Sequence, residues 1–144
     1  MAPRTTPEFS AGGVVVRGQE CIVIVPTRLA ADGSKVLALP KGHPDGDETA
    51  ADAALREVRE ETGVEATVVE KLGDVRYFYQ RDGRRIAKVV AFFLLEFVRG
   101  DLEEHDHEVE EARWMALGEA ATALTYAGDR DMADRALSRL QRDG

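Results

Sequence analysis

Three glutamates within one helical turn dominate the chemistry open to this chain. In Arg56-Glu57-Val58-Arg59-Glu60-Glu61 the last three acids fall at i, i+3 and i+4. On an α-helix that spacing puts them on one face. Three carboxylates there repel one another unless positive charge lies between them. Hard oxygen donors suit Mg²⁺, with Mn²⁺ as a second candidate, and such ions bridge phosphate oxygens and activate water. Taken alone, the same six residues also suit a solvated acidic face knit by Arg56 and Glu60.

The surrounding pattern decides between these readings. Gly42 is followed by five residues and Glu48, then seven residues and Arg56-Glu57, an aliphatic, any residue, Glu60-Glu61, any residue, Gly63 and an aliphatic. This stretch, GHPDGDETAADAALREVREETGV, resembles the complete Nudix box, and all of its fixed positions match. Average composition makes such a coincidence rare, on the order of 10⁻⁷ per starting position. The resemblance implies an α/β fold in which a mixed β-sheet is sandwiched between helices, with the box as loop–helix–loop. It implies metal binding by Glu57, Glu60, Glu61 and the Gly42 carbonyl. It also implies that Arg56 orients the carboxylates, that Glu48 supports loop and helix, and that Gly63 ends the helix.

Outside the box the chain is similar to the diadenosine tetraphosphate hydrolases of that family. The likeness rests on FSAGGVVV, LPKGH, RYFYQRDGRRIAK, HEVEEARWM and LTYAGDRDMADRAL, from about Phe9 to Leu140. Lys41 and His43 flank Gly42 and suit phosphate contacts, although a loop histidine also suits plain exposure to water. Tyr77 and Tyr79 alternate along a strand, so they share a face and suit stacking on adenine or ordinary sheet packing. Arg85 and Lys88 stand where a long phosphate chain would be gripped. By resemblance, Tyr126 forms the other side of an adenine clamp. Glu108, six residues before Trp114, has the spacing of a glutamate that faces the metals and takes a proton from water. The His105-Asp106-His107 tract could suit a transition metal, but the oxygen-rich box speaks against that use. Asp45 and Asp47 depart from the more usual glutamate-rich spacing.

These side chains need a scaffold to hold them. Residues 1–8 read as a loose tail and 9–144 as one domain. SAGGVVVR and CIVIVPTR read as strands, with VLAL (36–39) as a third. Thr49 to Thr62 reads as a helix capped by Thr49 and closed by Gly63. Segments 66–80 and 85–98 form a hairpin across Arg81-Asp82-Gly83-Arg84. The second is so apolar that burial on both faces is expected. Residues 100–111 read as an acidic loop and 112–117 as a last strand. Leu117 to Leu124 reads as a short helix and Asp129 to Gln141 as an amphipathic one.

Composition narrows the partners. The formal net charge is −8 over 144 residues, which disfavours a nucleic-acid polymer or an anionic membrane. The lone Cys21 excludes an intramolecular disulfide and fits a reducing, cytoplasmic setting. No apolar run reaches the length of a membrane span. The expected activity is magnesium-dependent hydrolysis of diadenosine tetraphosphate to ATP and AMP by a monomer or homodimer. Alternatives are a Nudix pyrophosphatase for oxidised nucleoside triphosphates, ADP-ribose or diphosphoinositol phosphates, and a non-catalytic nucleotide-sensing module.

Overall fold

The protein is described from a computed structural model covering residues 7–143. Its β-rich first half follows from β-branched runs. Strands β1 (Glu8–Arg17) and β2 (Glu20–Pro26) pair through Val16–Cys21 and Arg17–Glu20. Beyond those pairs they diverge, and the short β3 (Lys41–Gly42) pairs with β1 at Gly12 and Ala11. A Cβ at Gly12 would collide with the Pro40 carbonyl and the Lys41 side chain, so glycine is what lets the loop lie this close.

Helix α1 (Ala50–Thr62) follows. The Thr49 side chain accepts from the Asp52 N–H, and Gly63 closes the helix at φ 76°. Strands β4 (Val64–Arg81) and β5 (Arg84–Gly100) form the long hairpin, turning through Asp82 and Gly83 at positive φ. Strand β6 (Val109–Ala116), helix α2 (Leu117–Ala123) and helix α3 (Ala127–Asp143) complete the chain.

The sheet runs β4-β5-β1-β2-β6, with β3 beside β1. Among the described residues only β1 and β5 pair in parallel, so the sheet is mixed. Alternation along the strands makes a core on each face of the sheet. Val14, Val16, Phe92 and Leu94 pack on one face against Leu117, Leu124, Met132 and Ala136 of the C-terminal helical layer. Ala11, Val15, Phe93 and Leu95 pack on the other against Ala53, Ala54 and Val58 of α1. Burying each large apolar side chain contributes about 1.5–3 kcal/mol. β5 is buried on both faces from Val90 to Leu95, as its apolarity implied.

The hairpin strands and the last helix run one or two residues past their expected ends, and other expectations change more. VLAL is not a strand: Ala38 makes only an isolated bridge with Ile24. Its backbone is claimed instead by Thr125 Oγ1, which accepts from Leu37 N at 2.8 Å, and by Asp129 Oδ2, which accepts from Leu39 N at 3.2 Å. The last strand starts at Val109 rather than at 112, after a 3₁₀ turn over Leu102–Glu104. Strand β1 takes in Glu8, which falls inside the segment read as a tail; residues 1–6 of that segment lie outside the described residues. Among the described residues no helix is long and apolar enough to cross a membrane.

Candidate active site

Arg56 ties the loop–helix–loop together. Its side chain is only 16% exposed, and it faces three glutamates. Nε donates to Glu48 Oε2 at 2.8 Å and Nη2 to Glu48 Oε1 at 3.1 Å, a two-pronged pairing. Nη2 also donates to the His43 carbonyl at 2.8 Å. Nη1 donates to Glu57 Oε1 at 3.0 Å and to Glu60 Oε2 at 3.1 Å. One guanidinium thus binds the loop before the helix to two acids on it. These hydrogen bonds, with the Glu48 pairing foremost, hold Arg56 above its usual pKa range, while Arg56 holds the Glu48 carboxyl below its own.

The acids nearest the loop are strained electrostatically. Burial pushes the Glu57 carboxyl above its ordinary range, against the pull of Arg56. Glu61 is more enclosed, and burial together with the Glu57 charge pushes it up to about 8. Its Oε2 accepts from the Lys41 backbone N–H at 3.0 Å. Gly42, next along, lies directly beneath the Glu57 carboxylate.

Among the described residues no three histidines, cysteines or acids form a ready metal cage. The donor set nevertheless fits a hard divalent cation. It consists of oxygen ligands, and two of them, Glu57 and Glu61, are held above the carboxylate range by burial and by neighbouring acids.

The 106–108 loop places Asp106 closer to these acids than the spacing argument foresaw. The Asp106 N–H donates to the Glu60 carbonyl at 3.1 Å, and the Asp106 charge raises Glu61 further. Glu108 is exposed. Its N–H donates to Asp106 Oδ1 at 3.1 Å, and its carbonyl accepts from Thr27. His105 Nδ1 lies 3.0 Å from the Asp106 carbonyl.

A second group of side chains gathers on the α3-facing side of the sheet. Register pairs Tyr77 with Lys88 and Tyr79 with Ile86, so these four share a face. The Tyr77 and Tyr79 rings are 6.4 Å apart. Tyr77 is 40% exposed, and its phenol, raised mainly by burial, feels the charges of Asp129 and Tyr126. Tyr126 is 48% exposed, on a turn fixed by Arg130 Nη1 donating to the Leu124 and Thr125 carbonyls. Buried Asp129 anchors Leu39 and sits within electrostatic reach of Lys41. His43 Nδ1 lies 3.1 Å from the Phe9 carbonyl. A carbonyl only accepts, so Nδ1 is the donor in this contact.

Arg85 does not join this group. It pairs with Gln80, and its guanidinium lies 3.8 Å over the Phe78 ring, on the opposite face from Lys88. Positions 85 and 88 differ by an odd number, so strand parity alone could have shown this. Arg28 and Arg81, which the sequence argument passed over, carry charges that reach Lys88. Nothing in the local sequence marked Glu8; Asp106 was marked only as part of the His105-Asp106-His107 tract, and Asp129, an acid in the first turn of a helix, carried a weak signal. An open groove of about 680 Å³ between β4 and α3 holds none of these residues. In it Arg135 donates to Leu72 O and Arg139 pairs with Glu70.

A mixed sheet between helices carries a loop–helix–loop that brings Glu48, Arg56, Glu57 and Glu60 onto one charge network. The NUDIX domain model matches residues 6–136, and the chain belongs to the Nudix hydrolase family. It is 38% identical to a protein named mutator protein MutT4 of Mycobacterium tuberculosis, over 98% of this chain and 60% of that protein. The chain therefore spans about 60% of that relative's length. It is 37% identical to the asymmetrical bis(5'-nucleosyl)-tetraphosphatase of Rattus norvegicus, over 67% of each. Among solved structures, a Caenorhabditis elegans Ap4A hydrolase binary complex superimposes with a TM-score of 0.73 at 24% identity, covering 94% of this chain and 98% of that one, and so shares the fold.

Proposed function

We propose that this protein hydrolyses a phosphate anhydride in a nucleoside polyphosphate, with diadenosine tetraphosphate cut to ATP and AMP as the leading substrate. The observation that carries the reading is the set of box acids beside Gly42, with Lys41 leading from it toward Lys88, Tyr77 and Tyr126. Glu57, Glu60, Glu61 and the Gly42 carbonyl, joined by Glu108 or Asp106 from the facing loop, would hold Mg²⁺ or Mn²⁺. The bound cation supplies stabilisation for the charge that develops on the phosphate oxygens. Arg56 keeps Glu57 and Glu60 aimed. Lys41, His43 and Lys88 grip phosphate oxygens outside the bond that breaks, and Tyr77 and Tyr126 bracket a base. A site glutamate takes a proton from the attacking water as its oxygen bonds to phosphorus and the P–O–P bridge opens. A cytoplasmic setting suits this substrate class and the free, buried Cys21.

The test is a magnesium-dependent screen of diadenosine tetraphosphate, nucleoside triphosphates including oxidised ones, ADP-ribose and a diphosphoinositol phosphate, in ¹⁸O-labelled water. The expected result is preferred turnover of diadenosine tetraphosphate, with label in one product. The MutT4 likeness makes a nucleoside triphosphate the rival substrate. Binding of these ligands without turnover, or full activity in Glu61→Gln, would sink the catalytic reading.

A further inference from the structure

We infer that Glu8 is a positioning residue for the substrate cleft: one carboxylate at the start of β1 clamps Tyr79, Arg81 and Lys88 from the facing hairpin and so sets the cation that receives the polyphosphate. The inference rests on the cleft proposed above, and it concerns a residue outside the box.

The geometry is specific. Glu8 Oε1 accepts from Tyr79 Oη at 2.6 Å and from Arg81 Nη2 at 2.7 Å. Its Oε2 lies 3.8 Å from Lys88 Nζ. Glu8 and Lys88 are direct register partners across the parallel β1–β5 pair, and Tyr77 faces Lys88 from β4. One carboxylate on β1 therefore accepts hydrogen bonds from two donors on β4 and ion-pairs with a lysine on β5. The Arg81 guanidinium also sits 5.7 Å from the Tyr79 ring centroid, so the same clamp fixes the aromatic side of the cleft.

Lys88 needs such a partner. Its side chain is only 11% exposed. Burial lowers its pKa, and Lys41 from β3, Arg28 after β2 and Arg81 on β4 lower it further; Glu8 is the carboxylate that opposes them. Glu8 in turn is held below the usual carboxylate range, first by the Tyr79 hydrogen bond. Without Glu8, the charges of Lys41, Arg28 and Arg81 would act on Lys88 with no carboxylate to offset them. The arrangement is self-consistent for an anion of high charge. Glu8 is engaged by its own hairpin donors and ion-pairs with Lys88, which favours the charged, placed ammonium while Lys41 and Arg28 add to the positive field.

The experiment compares wild type, Glu8→Gln and Glu8→Asp by calorimetric binding of ATP at about pH 7 and about pH 9.5, values chosen below and near the ordinary lysine pKa. Steady-state kinetics on diadenosine tetraphosphate and thermal melting run alongside. Glu8→Gln is expected to weaken ATP binding about ten-fold, the scale of one charge-assisted hydrogen bond, and by more at the higher pH. It should raise KM more than it lowers kcat, and Glu8→Asp should recover part of the high-pH binding. ATP binding by Glu8→Gln equal to wild type at both pH values would overturn the inference, as would a loss equal at both pH values that Glu8→Asp does not repair. Failure of wild type to bind ATP would overturn it together with the cleft. ATP binding that follows the expected pattern, in a protein that does not turn over diadenosine tetraphosphate, would uphold the clamp and reject only the substrate.

Discussion

The Glu57 carboxylate lies against Gly42 so closely that a Cβ at position 42 would overlap all three of its terminal atoms. The contact joins the loop before the helix to the middle of the helix itself. Gly42→Ala must therefore push Glu57 aside. We expect activity to fall at least about ten-fold, with a stability loss of about 1–3 kcal/mol from overpacking. Turnover and urea denaturation of the variant check both parts; wild-type kcat would show that the Glu57 position is not needed.

Arg56 is the common donor for Glu48, Glu57, Glu60 and the His43 carbonyl. Arg56→Ala should destabilise the fold on the order of 3 kcal/mol, because it leaves partly buried carboxylates without their partner. Arg56→Lys should recover only part of that. An ammonium keeps the charge but cannot span the two-pronged Glu48 pairing and the helix acids together. Denaturant midpoints for the two variants rank these outcomes, and equal midpoints would contradict the geometric argument.

Glu61 makes metal-free stability depend on pH. Its folded pKa of about 8 lies above the ordinary 4.5. The folded state therefore holds a proton that the unfolded chain has lost between those values. Stability from this group is complete below about 4.5 and drains away as pH rises through about 8. The loss is on the order of a few kcal/mol. Thermal melting of metal-free protein across that range should show the decline, and Glu61→Gln should flatten it. Adding Mg²⁺ should restore stability at the alkaline end. A flat profile in the unaltered protein would remove this assignment.

Lys88 and Arg85 should behave oppositely, although both are hairpin cations. Lys88 faces Tyr77, while Arg85 stacks on Phe78 across the sheet. Lys88→Met is expected to raise KM about ten-fold or more, and Arg85→Met to change it less than about two-fold. Kinetics on diadenosine tetraphosphate distinguish them. Equal effects would mean that the hairpin presents both faces to substrate.

The buried Cys21 thiol, pushed up to about 12 mainly by burial, should react with a thiol reagent only as fast as the protein opens. Labelling in native buffer and in urea reads this directly, and rapid native labelling would contradict the packing of β2.

The sequence by itself determined the helix that carries Glu57, Glu60 and Glu61. Their spacing, the Thr49 cap and Gly63 are local features that need no distant partner, and α1 spans Ala50–Thr62 with both caps in place. The strand pattern and the two-sided burial of β5 were legible for the same reason, since alternation and apolarity are written residue by residue. Tertiary structure alone decided what meets those acids. Asp129 and Thr125 take the backbone of Leu37 and Leu39 away from a strand ladder through contacts some ninety residues apart in sequence. Asp106, Arg28 and Glu8 reach the site from separate loops and strands; no local signal announces Arg28 or Glu8, and the tract that holds Asp106 pointed to a different use. Such positions depend on which strands lie side by side, and β1 pairing with β5 is a long-range event that short-range propensity cannot encode.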